Sequence, residues 1–434
     1  MSSKIQDNTI PYRVLKVVAD LCIPRSYKRF TVVGADNIPT DGSVIWAANH
    51  TNALMDPLVL LAATRQRKVY VARADIFKKP IVIKALTFLK IFPIYRIRDG
   101  FDSVKKNDEI IEKTAQVLAD HVPLCIFPEA THRPKHSLLK LSKGIFHIAL
   151  AVREKNDSEP VYILPIGIEY GDYFRYHSNV LINFGKPFNV SGFLDENKDL
   201  PLPVQMQKMR DILTQKMAEQ ISYIPDDVDY DAIWEYTKIH TDNRKYFAET
   251  LAEIDPEKKL KGLQRRLAVN KKAIADALAL REQNPESAKE LFQKYEDRRL
   301  WRIQRGISVH SIAENPGLGR ILLKTLGVVA GFPYFAFSAI TYLPVWLLSW
   351  FVVGHVKDDA FYNSARFCIR VFLSWICFIV WASVFFCHMP VALASVLTLL
   401  MLPGYSFFSD YREFVRIYLS DLRWIARKKN APQV

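Results

Sequence analysis

The chain has 434 residues, of which half are hydrophobic and 24% are charged, and its formal net charge is +14 at pH 7. This length allows two or three domains, and the mixture of hydrophobic and charged residues indicates a water-exposed part joined to a membrane part. A nucleic-acid-binding role is disfavoured because no basic patch with interleaved aromatic residues occurs in the polar part. The positive charge is concentrated in residues 1–200 (+7) and 321–434 (+5), which fits attraction to anionic lipid better.

The five cysteines are predicted to be reduced and buried, because their number is odd and they form no Cys-x-x-Cys pair. Residues 1–9 are polar and the apolar stretch after them is interrupted by charges, so no signal peptide is expected. Residues 1–28 are predicted to form an amphipathic helix that contacts a membrane, with a helix packed on the core as the alternative. Its apolar face consists of Val14, Leu15, Val17, Val18, Leu21 and Cys22.

From residue 29 to about residue 187, short apolar runs alternate with amphipathic segments. This alternation predicts an α/β domain with a largely parallel, buried sheet. The predicted strands are Phe30–Val33, Val44–Ala48, Val69–Ala72, Phe92–Tyr95, Pro123–Phe127, Val161–Ile168 and Val180–Phe184. The predicted helices cover residues 57–65, 77–90, 102–120 and 143–155. Functional residues in such sheets lie at the carboxyl ends of strands, where loops lead into helices.

The predicted strand Val44–Ala48 ends abruptly in a polar segment that contains His50, and Asp56 follows six positions later. A histidine and a carboxylate in this position can form a dyad, in which Asp fixes the imidazole tautomer while His accepts a proton. The alternative is an ordinary turn whose polar side chains cap the following helix, namely Asn49, Thr51 and Asn52.

Two further strand ends carry polar side chains. They are Glu129, Thr131, His132 and Arg133 after Pro123–Phe127, and Arg96 and Arg98 after Phe92–Tyr95. Arginine suits a phosphate because its planar fork binds two oxygens at once. Lys143 and Gly144 then open a predicted helix whose first N–H groups can also meet an anion. Each of these residues alone has an ordinary alternative as a solvated charge, a helix cap or a surface lysine.

Taken together and in order, these segments resemble the membrane-bound glycerolipid acyltransferases, which make lysophosphatidic and phosphatidic acid. That family has four ordered blocks: Asn-His with a downstream Asp, an arginine after an apolar strand, Phe-Pro-Glu-Gly-Thr, and an apolar strand with a proline. The corresponding segments here are Asn49-His50 with Asp56-Pro57, Phe92 to Arg96, Phe127 to Thr131, and Val161 to Ile166. The resemblance covers roughly 150 residues, about a third of the chain.

The resemblance implies an α/β acyltransferase domain over residues 29–200. Its reaction would move a fatty acyl group from an acyl thioester, on coenzyme A or acyl carrier protein, to a hydroxyl of glycerol 3-phosphate or 1-acylglycerol 3-phosphate. His50 is then the general base held by Asp56, and the substrate-binding residues are Arg96, Glu129, Thr131, Arg133, Lys143 and Gly144. No metal and no cofactor besides the acyl donor is expected. A lysophospholipid transacylase and a non-catalytic membrane lipid-binding protein remain alternatives.

Two features depart from the family's pattern. Five residues separate His50 from Asp56, whereas the family usually has four. The five-residue spacing resembles that of one eukaryotic branch of glycerol-3-phosphate and dihydroxyacetone-phosphate acyltransferases. The pair can then form only if the loop bulges or if the pair spans a loop–helix junction. Ala130 replaces the usual Gly and tolerates a positive φ less well. His132 stands where an arginine is common, so Arg133 is expected to take that role.

Residues 201–315 are predicted to be a charged helical region, because their hydrophobic periodicity is helical and their charges are dense and balanced. A long helix pair is expected around Asn284-Pro285. No catalytic cluster occurs in this part of the sequence, so it is interpreted as a linker or packing module.

The C-terminal part is predicted to be an α-helical membrane domain over residues 316–410, followed by a basic tail at 411–434. No Asp, Glu, Lys or Arg occurs at 325–356 or 371–409, runs of 32 and 39 residues. One membrane helix needs about 20 apolar residues, so four short crossings, two long kinked crossings or re-entrant hairpins all fit. Possible breaks are Pro333, Pro344, Pro390 and Pro403. The flanking basic residues predict a cytosolic catalytic domain and C-terminus. The oligomeric state is not indicated.

Overall fold

The computed structural model describes residues 4–95, 106–155 and 157–433. The chain forms two compact units. The first unit contains Met1–Tyr173 and Ser178–Tyr223, and the second contains Phe174–His177 and Ile224–Val434.

The first unit is built on a mostly parallel sheet, which confirms the predicted α/β fold. Its strands are β1 Arg29–Val33, β2 Ser43–Ala48, β3 Val69–Arg73, β4 Ile91–Ile94, β5 Leu124–Ile126, β6 Val161–Tyr170, β7 Asn179–Phe184 and β8 Phe188–Asn189. Their order across the sheet is β1-β7-β6-β2-β5-β3-β4, with β8 paired to β6. Strand β6 is antiparallel to β7 and β8, and the other pairs are parallel. The carboxyl ends of β2 and β5 therefore lie side by side.

Seven helices of the described residues accompany this sheet. They are α1 Ile10–Arg25, α2 Met55–Ala63, α3 Pro80–Phe88, α4 Lys106–Ala119, α5 Gly144–Lys155, α6 Val190–Glu196 and α7 Leu202–Ala218. Helix α7 buries Met206, Met209 and Leu213 in the same apolar cluster as Ile45 of β2 and Ile163 of β6. Because α7 completes this core, the first unit continues past residue 200 to Tyr223.

Helices α1 and α3 leave large apolar side chains on the surface of the first unit. Ile10 and Val17 of α1 are 68% and 59% exposed, and Ile81 of α3 is 76% exposed. The rings of Tyr12 and Phe88 meet edge to face with centroids 6.4 Å apart, so the two helices are neighbours. An exposed apolar surface of this kind is typical of a contact with lipid or with another protein.

Helix α2 ends against a buried lysine. The Nζ atom of Lys68 donates to the carbonyl oxygens of Leu61, Thr64 and Gln66 at 3.3, 3.2 and 2.7 Å. The bonds to Leu61 and Thr64 satisfy carbonyl groups that the end of α2 leaves without intrahelical partners, and Gln66 lies in the loop that follows. Burial lowers the pKa of Lys68 to about 7.

The second unit contains the larger part of the predicted charged helical region, from Ile224 onward. Its helices are α8 Tyr230–Asp242, α9 Arg244–Ile254, α10 Leu263–Gln283, α11 Pro285–Gln304 and α12 Val309–Glu314. Asn284 separates α10 from α11, and its side chain accepts the N–H of Ser287 at 3.1 Å. The long helix pair expected at this position is therefore present. Buried apolar residues of α8, α10 and α11 form a common core that includes Ile233, Ile274 and Phe292.

The C-terminal apolar runs fold into four helices: α13 Leu318–Thr341, α14 Leu343–His355, α15 Tyr362–His388 and α16 Val391–Arg427. Within the described residues, α13, α15 and α16 are long and apolar enough to cross a membrane, and α14 is apolar but shorter. Leu326, Phe372 and Val391 are 67%, 75% and 70% exposed. Apolar surface on this scale is stable in lipid rather than in water, which supports membrane association.

Candidate active site

The predicted His–Asp pair is formed at the carboxyl end of β2. His50 Nδ1 lies 2.7 Å from Asp56 Oδ2. His50 lies in the loop after Ala48, whereas Asp56 is in the first turn of α2, so the pair spans a loop–helix junction. This is one of the two geometries that the five-residue spacing allows. Ala53 has φ +40° in the intervening turn.

Asp56 is fully buried, and both of its carboxylate oxygens accept hydrogen bonds. Besides the imidazole, Oδ2 accepts the backbone N–H groups of Thr51 and Asn52, each at 2.7 Å. The other oxygen, Oδ1, accepts the hydroxyl of Tyr170 at 2.8 Å. A buried carboxylate is stable only when it is paired and hydrogen-bonded in this way. The four donors therefore fix Asp56 beside the imidazole.

The contacts of His50 suit a general base. Because Nδ1 faces Asp56, the geometry favours the tautomer with its proton on Nδ1 and leaves Nε2 as a hydrogen-bond acceptor. The ring stacks on Phe127 with centroids 4.3 Å apart, and His132 meets its edge at 5.4 Å. The His50 side chain is 18% exposed, so one part of it is accessible while its partner is fully enclosed.

Glu129 braces the neighbouring turn after β5. Its Oε1 accepts the backbone N–H of His50 at 2.9 Å, and its Oε2 accepts the N–H of Leu139 at 2.8 Å. Burial raises the pKa of Glu129, and it outweighs these two donors, which lower it. Both oxygens thus hold chain segments in position, including the segment that carries the base. Ala130 adopts φ +58°, the left-handed backbone that favours glycine.

Arg133 also attaches this turn to His50. Its backbone N–H donates to the carbonyl oxygen of His50 at 3.0 Å. Its guanidinium donates to Ser137 Oγ at 2.8 Å. Thr131 lies in the same turn and is exposed. The structure therefore brings Glu129 and Arg133 into contact with the His50 backbone, and Thr131 lies between them in the chain.

The start of α5 lies against the Glu129 turn. The N–H of Ser142 donates to the carbonyl oxygen of Pro128 at 2.8 Å, which brings the adjoining Lys143 and Gly144 to this edge of the sheet. A Cβ atom on Gly144 would lie 3.8 Å from Cδ1 of Ile94, so the end of β4 also meets the start of α5. Arg96 and Arg98, which follow β4 in the sequence, lie outside the described residues.

The sequence did not predict the structural roles of Asn49 and Tyr170. The side chain of Asn49 donates to the carbonyl oxygen of Ile168 at 3.1 Å and accepts its N–H at 2.7 Å, which keeps β6 beside β2 beyond the last strand residue. Tyr170 lies two positions after the predicted end of β6. The one available signal was general: a buried tyrosine usually needs a partner for its hydroxyl.

The structure places the cysteines partly as predicted. All five are free thiols, and Cys125 and Cys377 are buried. Cys387 is exposed, so the prediction of burial is wrong there, because an apolar helix presents such a side chain outward. Among the residues that the structure describes, no group of three or more His, Cys, Asp or Glu side chains could hold a metal ion.

Comparison with known proteins gives one family match and a similarity to a solved structure. Residues 29–169 match the family model described as Acyltransferase. The matched segment is about a third of the chain and contains His50, Asp56 and Glu129. Among solved structures, the chain is similar to the crystal structure of the 1-acyl-sn-glycerophosphate (LPA) acyltransferase, PlsC, from Thermotoga maritima. That similarity has 20% sequence identity and a TM-score of 0.35 and covers 49% of this chain and 83% of the other. No curated protein matches the chain significantly.

Proposed function

We propose that this protein is a membrane O-acyltransferase. It transfers a fatty acyl group from an acyl thioester, on coenzyme A or acyl carrier protein, to a hydroxyl of glycerol 3-phosphate or 1-acylglycerol 3-phosphate. The observation that carries the proposal is the His50–Asp56 pair, with 2.7 Å between Nδ1 and Oδ2, inside a segment that matches the acyltransferase family. A base held in this way has its Nε2 available for a substrate hydroxyl.

The proposed reaction is direct transfer without an acyl-enzyme. His50 Nε2 takes the proton of the acceptor hydroxyl while the hydroxyl oxygen attacks the carbonyl carbon of the thioester. The new C–O bond forms, the C–S bond breaks, and the imidazolium returns its proton to the leaving thiolate sulfur. The Asp56 carboxylate stabilises the imidazolium between these steps. General-base catalysis of this kind contributes about 10²–10⁴-fold in rate.

We assign the acceptor's phosphate and glycerol to the polar residues around the two turns. Lys143 and the first N–H groups of α5 at Gly144 offer positive charge and donors for an anion. Arg96, Thr131 and Arg133 belong to the same proposed set, and Arg133 is attached to the His50 backbone. Glu129 contributes in this proposal by positioning His50 and the Leu139 turn, because both of its oxygens accept backbone N–H groups.

A membrane setting is supported by both units. The exposed apolar faces of α1 and α3, with exposed Lys78, Lys79 and Lys84 beside them, fit an anionic lipid surface. Basic residues flank the long apolar helices, so we propose that the catalytic domain and the C-terminus lie on the cytosolic side. Protease protection of a C-terminal epitope in sealed vesicles tests this orientation. Protection when the cytosolic face is outward would contradict it.

The activity is tested with the purified full-length protein in lipid nanodiscs. Acyl-coenzyme A is supplied with glycerol 3-phosphate, dihydroxyacetone phosphate or 1-acylglycerol 3-phosphate in turn. We expect His50→Ala to lower kcat/KM by about 10²–10⁴-fold, because the variant lacks the base. The matched control His147→Ala removes an exposed histidine of α5 and should leave kcat/KM unchanged.

Three other outcomes would contradict the proposal. Full activity in His50→Ala would remove the dyad from the mechanism. Transfer between lipids without any thioester would indicate a lysophospholipid transacylase. Binding of phospholipid without transfer to any acceptor would indicate a non-catalytic lipid-binding protein.

A further inference from the structure

We propose that Tyr170 is a positioning residue that sets the proton affinity of the His50 imidazole through the second oxygen of Asp56. Its hydroxyl holds Oδ1, the carboxylate oxygen that does not face the imidazole. The catalytic consequence rests on the acyltransferase function proposed above. The geometry stands independently of that function.

The two oxygens of Asp56 are held by different parts of the chain. Oδ2 accepts donors from the turn that contains the base, namely His50 Nδ1 and the N–H groups of Thr51 and Asn52. Oδ1 accepts the Tyr170 hydroxyl at 2.8 Å, from a strand more than 110 positions later in the sequence. In residues 4–95, 106–155 and 157–433, no other hydrogen bond reaches Oδ1. Tyr170 therefore supplies the hydrogen bond that this buried oxygen receives from the described part of the chain.

Tyr170 is itself firmly placed. It is the last residue of β6, its Cα pairs with that of Val180 in β7, and it is 5% exposed. Its ring lies 6.1 Å from that of Tyr27 and 6.0 Å from that of Tyr173. Burial raises the pKa of Tyr170 well above its ordinary value, so the phenol stays protonated and acts as a donor.

A donor to a carboxylate stabilises the ionised form and makes that carboxylate less basic. Without the Tyr170 hydroxyl, Oδ1 would be buried without a donor, and Asp56 would attract the imidazolium proton more strongly. The imidazolium form of His50 would then persist to higher pH, and less neutral imidazole would be available as a base. The other titratable or charged groups near the pair are Glu129, His132 and Arg133, which keep their own side chains in a Tyr170 variant. Tyr27 is also near, and it interacts with both Asp56 and Tyr170, so a Tyr170 substitution changes its surroundings as well.

The test is Tyr170→Phe, which keeps the ring and removes the hydroxyl. We expect the acid limb of the kcat/KM profile to move up by about 0.5–1 pH unit, the scale on which one charge-assisted hydrogen bond shifts a titration. At pH values below the midpoint of that limb, kcat/KM of the variant should be about 3–10-fold lower than that of wild type. The matched control is Tyr162→Phe on the same strand, whose hydroxyl donates to Asp41 at 3.2 Å. This control should leave the profile unchanged.

A second measurement does not need activity. Diethyl pyrocarbonate modifies neutral imidazole, so the rate of His50 modification against pH, followed by peptide mass spectrometry on the full-length protein, reports its titration. In Tyr170→Phe the midpoint should move up by the same amount as the kinetic limb. A folded Tyr170→Phe protein with the wild-type midpoint would overturn the inference. If that variant does not fold, a ring-fluorinated tyrosine at position 170 is a stronger donor and should move the midpoint down, and an unmoved midpoint overturns the inference.

The two measurements separate this inference from the proposed function. A shifted midpoint in a protein that transfers no acyl group would leave the Tyr170 inference standing and remove the function. Loss of transfer in His50→Ala, combined with an unshifted midpoint in Tyr170→Phe, would support the proposed function and remove the Tyr170 inference.

Discussion

The turns after β2 and β5 share a positive-φ alanine and a nearby buried carboxylate, but the two carboxylates have different hydrogen-bond partners. Each follows one strand of a parallel pair and contains an alanine with positive φ, +40° for Ala53 and +58° for Ala130. Each also holds a buried carboxylate that accepts two backbone N–H groups, Asp56 in one turn and Glu129 in the other. Asp56 additionally meets an imidazole and a phenol, whereas the oxygens of Glu129 bind the backbone.

Both carboxylates are buried, so the difference between them lies in their further partners and not in their burial. His50 joins the two turns, because its ring contacts Asp56 while its backbone N–H donates to Glu129. One carboxylate thereby contacts the ring, and the other holds the backbone that carries the ring. Substitutions that alter one turn at a time can separate these two effects.

Asp56→Asn should have the largest effect, a loss of about 10²–10⁴-fold in kcat/KM. A neutral amide cannot stabilise an imidazolium, and its NH₂ group would oppose donors that now point at the carboxylate. Steady-state kinetics and the melting temperature should be measured on the same preparation. If this variant kept activity within tenfold of wild type, the distinction between the two turns would be lost.

Glu129→Gln should have a smaller effect on rate and a clear effect on stability. One backbone N–H, of either His50 or Leu139, would face the amide NH₂ of glutamine, and a buried donor without an acceptor costs about 1–3 kcal/mol. We expect kcat/KM to fall by about tenfold, because the base moves but keeps its Asp56 partner. Chemical denaturation gives the stability change. A loss of activity as large as that of Asp56→Asn would contradict a bracing role.

The stability difference caused by Glu129 should depend on pH. Burial holds its pKa above the ordinary 4.5, so the folded state binds this proton more tightly than the unfolded chain does. This stabilisation is complete below the unfolded pKa and is lost as pH rises through the folded pKa. Wild type should therefore lose part of its stability advantage over Glu129→Gln above about pH 4.5, as denaturation at several pH values can show. An advantage that grows with pH would be evidence against this account.

Ala130→Gly should have the smallest effect. A left-handed backbone costs about 1–2 kcal/mol for a residue with a Cβ, and glycine removes that strain. Glycine also loses more conformational freedom on folding, by about 0.5–1 kcal/mol, so the net gain in the free energy of unfolding should stay within about 1 kcal/mol. Activity should be unchanged, and Ala53→Gly provides the matched substitution in the other turn. A tenfold loss of activity in either variant would give the alanine methyl group a role of its own.

The strand ends that carry the dyad and Glu129 could be predicted because buried apolar runs stop there abruptly. Each predicted strand is present, with ends within two residues of those observed. The two-residue strand β8 was missed, because so short a segment has no recognisable alternation. Tyr170 was missed because its role depends on β6 lying beside β2, a neighbour relation that local sequence does not contain.

The prolines of the apolar region were harder to interpret. Pro344 and Pro390 stand where one helix gives way to the next, as predicted breaks should. Pro333 and Pro403, by contrast, lie inside α13 and α16. Neighbouring helices can compensate for a missing N–H in long apolar helices, so a proline alone does not mark a helix end there.

Helix α2 holds Asp56 near one end and finishes against Lys68 at the other, and this arrangement constrains how the domain can change in length. A residue inserted within the helix would rotate one end relative to the other by about 100° and separate the carboxylate from His50. A residue inserted in the 51–54 turn leaves the helix unchanged, because α2 begins only at Met55. We therefore expect a one-residue insertion to be tolerated in this turn and not within α2.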